Sequence, residues 1–157
     1  MPCWADTSAS RASHDADEVE RFVQIRKARQ ALLDQEPPVT FWAVLDEAVL
    51  RRRVGGADVV RGQLERLTEV AELPHVTLQV LADDTGEHAA LEGSFMILGF
   101  PEPDPDVVYI DAATGGLYIE PEDIRRYAWV FGQVRSQALS PRDTVRFMRK
   151  AADSLRQ

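Results

Sequence analysis

Apolar residues recur every three to four positions in four stretches of the chain and cluster in five shorter runs between them. The first helical stretch carries Phe22, Ile25, Ala28 and Leu32 with charges between them, a one-faced pattern of period 3.6. Asp15, with Glu18 three residues on, marks its start, as a capping pair does. Pro37 and Pro38 bar its continuation. Val39–Leu45 then reads as a strand and Glu47–Arg53 as a short helix stopped at Gly55 and Gly56. Ala57–Leu73 is the clearest helix of the first half, with Val60, Leu64, Leu67 and Ala71 on one face. Strands follow in HVTLQVL from His75, SFMILGF from Ser94, VVYID from Val107 and GLYIE from Gly116. The run Ser94–Phe100 is apolar on both sides, which predicts a strand inside a sheet. Pro121 opens a helix whose inner positions are Ile124, Tyr127, Phe131, Val134 and Ala138. Ser140 caps the last one, lined by Val145, Met148, Ala152 and Leu155.

This order predicts an α+β fold: one mostly antiparallel sheet of about five strands, covered by helices. Short loops between the last three strands favour antiparallel neighbours, because a parallel return needs a dozen or more residues. Residues 1–16 are polar and rich in Ser and Ala and read as a flexible leader, leaving 17–157 as a single α+β domain. Helices over one curved sheet are expected to leave a cavity able to hold a guest.

Composition narrows the classes. The chain has 157 residues, enough to bury a core without covalent staples. A formal net charge of −8 disfavours direct nucleic-acid binding, which calls for a basic surface. No run approaches the length of a membrane helix. The N-terminus lacks a secretory pattern and Cys3 is the lone cysteine, so the expected setting is cytoplasmic.

Candidate chemistry is sparse. The three histidines, His14, His75 and His88, lie far apart in sequence, and no glycine-rich phosphate loop or nucleophile elbow is present. The richest polar cluster is the loop Asp83-Asp84-Thr85-Gly86-Glu87-His88. Its carboxylates and imidazole suit a cation, a ligand or acid–base work; the bland reading is a solvated loop, and no metal or cofactor is expected. Tyr109 and Tyr118 fall on neighbouring strands and, with Trp42, read first as core and second as walls of a pocket. Arg51, Arg52 and Arg53 point about 100° apart on a helix, so they read as salt-bridged surface, with Arg51 a partner for a ligand carboxylate. The binding residues so chosen are Trp42, Arg51, His88, Tyr109 and Tyr118. An enzyme on this scaffold would use Asp83, Glu87, His88, Tyr109 and Glu120.

FWAVLDEAVLRRRVGG, then VVRGQLERLTEVAELPHVTLQVL, GEHAALEGSFMILGFPEPDPDVVYID, GGLYIE and RRYAWVFGQVRSQALSP run collinearly from about Val19 to the C-terminus. This series resembles the C-terminal domain of actinobacterial regulators of the Xre helix-turn-helix type, often found in antitoxin-like systems. The resemblance implies a regulatory domain that senses a small molecule or a small partner protein, as a homo-oligomer such as a dimer. The helix-turn-helix of that family is not in this sequence, so DNA binding is not carried over. The resemblance transfers no catalytic residues. The alternative reading is a stand-alone small enzyme acting on a small molecule in a natural-product pathway, on the same scaffold.

Overall fold

A computed structural model describes residues 16–89, 91, 93–112, 115–119 and 123–155. The helices are α1 (Ala16–Gln30), α2 (Glu47–Arg51), α3 (Ala57–Val70), α4 (Ile124–Gln137) and α5 (Pro141–Ser154). The strands are β1 (Phe41–Asp46), β2 (Val76–Leu81), β3 (Met96–Leu98), β4 (Val107–Ala112) and β5 (Gly115–Ile119). Element type and order match the sequence pattern. Asp15 and Pro121, expected at helix starts, lie outside the described residues, as does the proposed leader up to residue 15.

The expected single sheet of about five mostly antiparallel strands is not what forms. There are two small sheets: β1 and β2 pair in parallel, and β3-β4-β5 form an antiparallel meander. The reason lies in the connections. Residues 47–75 carry α2 and α3 between β1 and β2, long enough for a crossover that returns the chain parallel. In-register partners run from Phe41 with Val76 to Asp46 with Leu81. The short links after β3 and β4 give antiparallel pairs, as their lengths demand. Contacts divide the chain into two compact units, Met1–Ala82 with Leu139–Gln157, and Asp83–Ala138.

In the first unit, α3 and α5 pack on one another and α5 packs on β2. Leu50, Val60, Leu64, Val80, Met148 and Ala152 form the buried cluster. Polar side chains enter this interior only with partners. The Thr68 hydroxyl donates to the Leu64 carbonyl at 2.9 Å. Thr144 is fully buried, and its Oγ1 accepts the Val80 N–H at 3.0 Å. The Leu139 N–H meets the Val80 carbonyl at 2.8 Å, so the outer edge of β2 is closed at Val80 by the chain entering α5. Ser140 caps α5 by accepting the Asp143 N–H. At the start of α3, Gly55 and Gly56 take φ of 79° and 94°, a region that L side chains avoid. By contrast α1 is held loosely: Ile25 remains 42% exposed, and His75 Nε2 donates to the Leu33 carbonyl just beyond it at 2.9 Å.

In the second unit, pairing fixes which side chains share a face. Tyr109 faces Met96 on one side and Tyr118 on the other, and side chains alternate along each strand. One face of the meander therefore carries Met96, Leu98, Val107, Tyr109 and Tyr118. The other carries Ile97, Val108 and Ile110. Val108 is fully buried, α4 packs on β3 and β4, and Phe95 meets Tyr127 of α4 edge-to-face at 5.1 Å. The inner face thus lies under α4, where Ile124, Tyr127, Phe131 and Val134, positions the periodicity selects, are half-buried or buried, as is Ala138 just past its end. The prediction that Ser94–Phe100 lies inside a sheet fails: its strand is only Met96–Leu98 and forms an edge. A short apolar run does not reveal which side is covered.

Candidate functional site

The face of the meander away from α4 gathers the most chemistry. The Tyr109 and Tyr118 rings meet edge-to-face, with centroids 5.4 Å apart and planes at 60°. This arrangement sets the positive ring edge of one on the negative face of the other. Gly116 makes room for it. A Cβ on Gly116 would sit 2.1 Å from Tyr109 Cε2 and 2.7 Å from its hydroxyl oxygen, so the ring lies across a stretch of β5 that has no side chain. The face is open to solvent: Tyr118 is 68% exposed and Met96 43%, with Leu98 exposed beside them. Two phenols, a thioether and aliphatic carbon make it apolar in area and hydrogen-bonding at its tips.

The other expected site residues divide between the units. Trp42 lies on β1 in the first unit, and its indole N–H donates to Gln79 Oε1 at 2.8 Å. Gln79 is buried and its amide donates to the Leu139 carbonyl at 2.9 Å. Trp42 is thereby tied into the framework. Arg51 closes α2, and its Nε donates to Glu47 Oε1 at 2.6 Å. Glu47 is 4% exposed, so the guanidinium offsets the cost of burying a carboxylate. Asp46 caps the Ala48 N–H and Asp58 pairs with Arg61, so these charges around α2 and α3 make local contacts within the framework.

Asp83, Glu87 and His88 belong to the second unit. Asp83 opens a short 3-10 turn, Asp83–Thr85, and Asp83 and Glu87 are exposed while His88 is half-buried. The His88 carbonyl accepts the Leu91 N–H at 3.4 Å. Among the described residues, no group of three or more His, Cys, Asp or Glu is placed to hold a metal ion. Glu120 lies outside the described residues. Of the expected residues, Tyr109 and Tyr118 are the pair brought into ring contact.

Sequence reasoning missed Met96, Leu98 and Gly116. The two apolar residues stand at alternate places on β3, and the register that sets them opposite Tyr109 and Val107 of β4 puts them on the tyrosine face. Gly116 gave no signal, because a glycine beside another reads as a turn.

No curated protein and no solved structure matches the chain. Among the described residues, no helix is long and apolar enough to cross a membrane. A family model matches residues 3–150, nearly the whole chain, and on that match the chain belongs to the family described as a domain of unknown function, DUF5753.

Proposed function

We infer that this chain is a non-catalytic regulatory domain that binds a partner polypeptide through the open face of its β3-β4-β5 meander. The observation that carries this reading is the solvent-exposed Tyr109–Tyr118 pair, flanked by Met96 and Leu98. Tyrosine combines a large rigid apolar body with a hydrogen-bonding tip, so it serves interfaces well. Methionine adapts to the surface it meets. Small-molecule sites are concave and bury most of their ligand, whereas a face on which Tyr118 is 68% exposed offers one side only. A flat aromatic face of this kind suits a protein surface better than a metabolite. The sequence resemblance to the C-terminal domain of Xre-type regulators supports a regulatory setting for that contact.

The test is site-specific photocross-linking. A photoreactive phenylalanine analogue at position 118 is expected to capture one polypeptide in the native host. The same analogue at Val49, which is 58% exposed on α2, serves as the control and is expected to capture none. The captured protein, purified, should bind the wild-type chain and lose affinity for Tyr118→Ala. Capture that is absent or equal at the two positions, or binding indifferent to Tyr118→Ala, would refute the reading.

A further inference from the structure

Helix α1 carries a line of residues that is complementary to itself. Glu18, Phe22, Ile25 and Arg29 stand at i, i+4, i+7 and i+11, within about 60° of one another around the helix axis. Alternating intervals of four and three residues are those of a seam between paired helices. From the N-terminus the line runs acid, apolar, apolar, base. Read backwards it runs base, apolar, apolar, acid. Leu32, in the 3-10 turn Ala31–Asp34 that follows, continues the spacing.

The first unit does not cover this line. Its buried cluster is built from α2, α3, β2 and α5, and α1 packs chiefly on the 3-10 turn that follows it. Of residues 17–30 none is buried. Glu18 and Phe22 are half-buried, while Ile25 is 42% and Leu32 41% exposed. Arg29 is exposed and meets no carboxylate among the described residues. A helix of 15 residues with so little packed behind it is marginal by itself in water, and a second helix against the line would stabilise it.

We propose that α1 docks antiparallel on α1 of a second copy of this chain, in an isologous two-fold contact. With the two-fold axis between positions 23 and 24, Phe22 of each copy packs on Ile25 of the other. Glu18 of each then faces Arg29 of the other. The order of the line selects both the occupant and its direction. A parallel pair would set Glu18 against Glu18 and Arg29 against Arg29, with like charges facing at both ends. A second copy carries the matching residues at the matching intervals by identity. The net charge of −8 opposes self-association at long range. At physiological salt that repulsion is screened beyond about 8 Å, whereas the Glu18–Arg29 pairs act in contact. The helix is about 22 Å long, so the contact falls at the small end of specific interfaces. A dissociation constant of about 1–100 µM is expected.

Sedimentation velocity of the full chain at physiological salt, from about 2 to about 200 µM, reads the association. The proposal expects a monomer that becomes a dimer across this range. Ile25→Gln should weaken dimerisation at least about tenfold. Glu18→Arg, which sets like charges at both ends of the antiparallel pair, should also weaken it at least about tenfold. The exchange E18R/R29E restores opposite charges and should return the dissociation constant to within about threefold of wild type. In a parallel pair Glu18→Arg would replace one like-charge contact by another and leave the affinity unchanged. Circular dichroism checks that each variant keeps its helix. Ile25 is exposed and outside the buried cluster, so Ile25→Gln keeps the test decisive if the charge variants fold poorly. A monomer throughout the range, wild-type dimerisation of Ile25→Gln or of Glu18→Arg, or a folded E18R/R29E that stays as weak as Glu18→Arg would each overturn the proposal.

Discussion

Replacing Thr144 with valine removes one hydroxyl and keeps the side chain's shape. Thr144 and Val80 are both fully buried, and the hydroxyl oxygen lies 3.0 Å from the Val80 nitrogen. The change leaves the Val80 N–H inside the protein without its acceptor, which costs about 1–3 kcal/mol. The added methyl returns roughly 0.8 kcal/mol of apolar burial. The expected net loss is about 0.2–2 kcal/mol, or up to roughly 8 °C in melting temperature for a chain of this size. Urea unfolding gives the free energy, and amide hydrogen exchange shows where the loss occurs. The Val80 amide should exchange faster in Thr144→Val than global destabilisation alone accounts for. In Thr144→Ser, which keeps the hydroxyl, that amide should remain protected. Wild-type stability with an equally protected Val80 amide in Thr144→Val would refute the claim that this hydroxyl closes the edge of β2.

Three further outcomes follow from the packing. Leu64, 1% exposed at the centre of the first unit, should lose about 2–5 kcal/mol on change to alanine, read by urea unfolding. Ser140→Ala should lower stability by about 1 kcal/mol, because the Asp143 N–H loses its cap. Gly116→Ala places a methyl where the Tyr109 ring lies. It should shift the near-ultraviolet circular dichroism of the tyrosine pair while changing unfolding free energy by less than about 1.5 kcal/mol, since the ring can swing toward solvent.

Much of the fold was legible because its helices bury one periodic face each. Val60 and Leu64 on α3, and Met148 and Ala152 on α5, are buried where a period of 3.6 places them. Ser140 and Pro141 announced the start of α5 by local chemistry that does not depend on the rest of the chain. Sheet organisation was harder to read. A strand's sequence records its faces and not its neighbour, so VTLQVL fits a parallel pair with β1 as well as it fits a meander. Only the helical content of residues 47–75 distinguishes the two, and treating the strands as one sheet discarded that information. Polar interior contacts were also hidden. The pairing of Trp42 with Gln79 and of Thr144 with Val80 joins residues far apart in sequence. For the candidate face, the tyrosines were visible and their surroundings were not. Which side of β4 lies under α4 is decided by tertiary packing.

The account's central claim is that the tyrosine-bearing face of the meander holds a partner polypeptide. Titration calorimetry of the cross-linked partner against wild type, Tyr118→Ala and a Leu91→Ala control tests it most directly. Leu91 lies in the same unit outside the sheet and is 65% exposed. The account predicts that Tyr118→Ala weakens binding by at least about 2 kcal/mol, roughly thirtyfold in Kd, while the lost ring contact with Tyr109 lowers the unfolding free energy by no more than about 1.5 kcal/mol and Leu91→Ala binds as wild type does. Identical dissociation constants for wild type and Tyr118→Ala would contradict it.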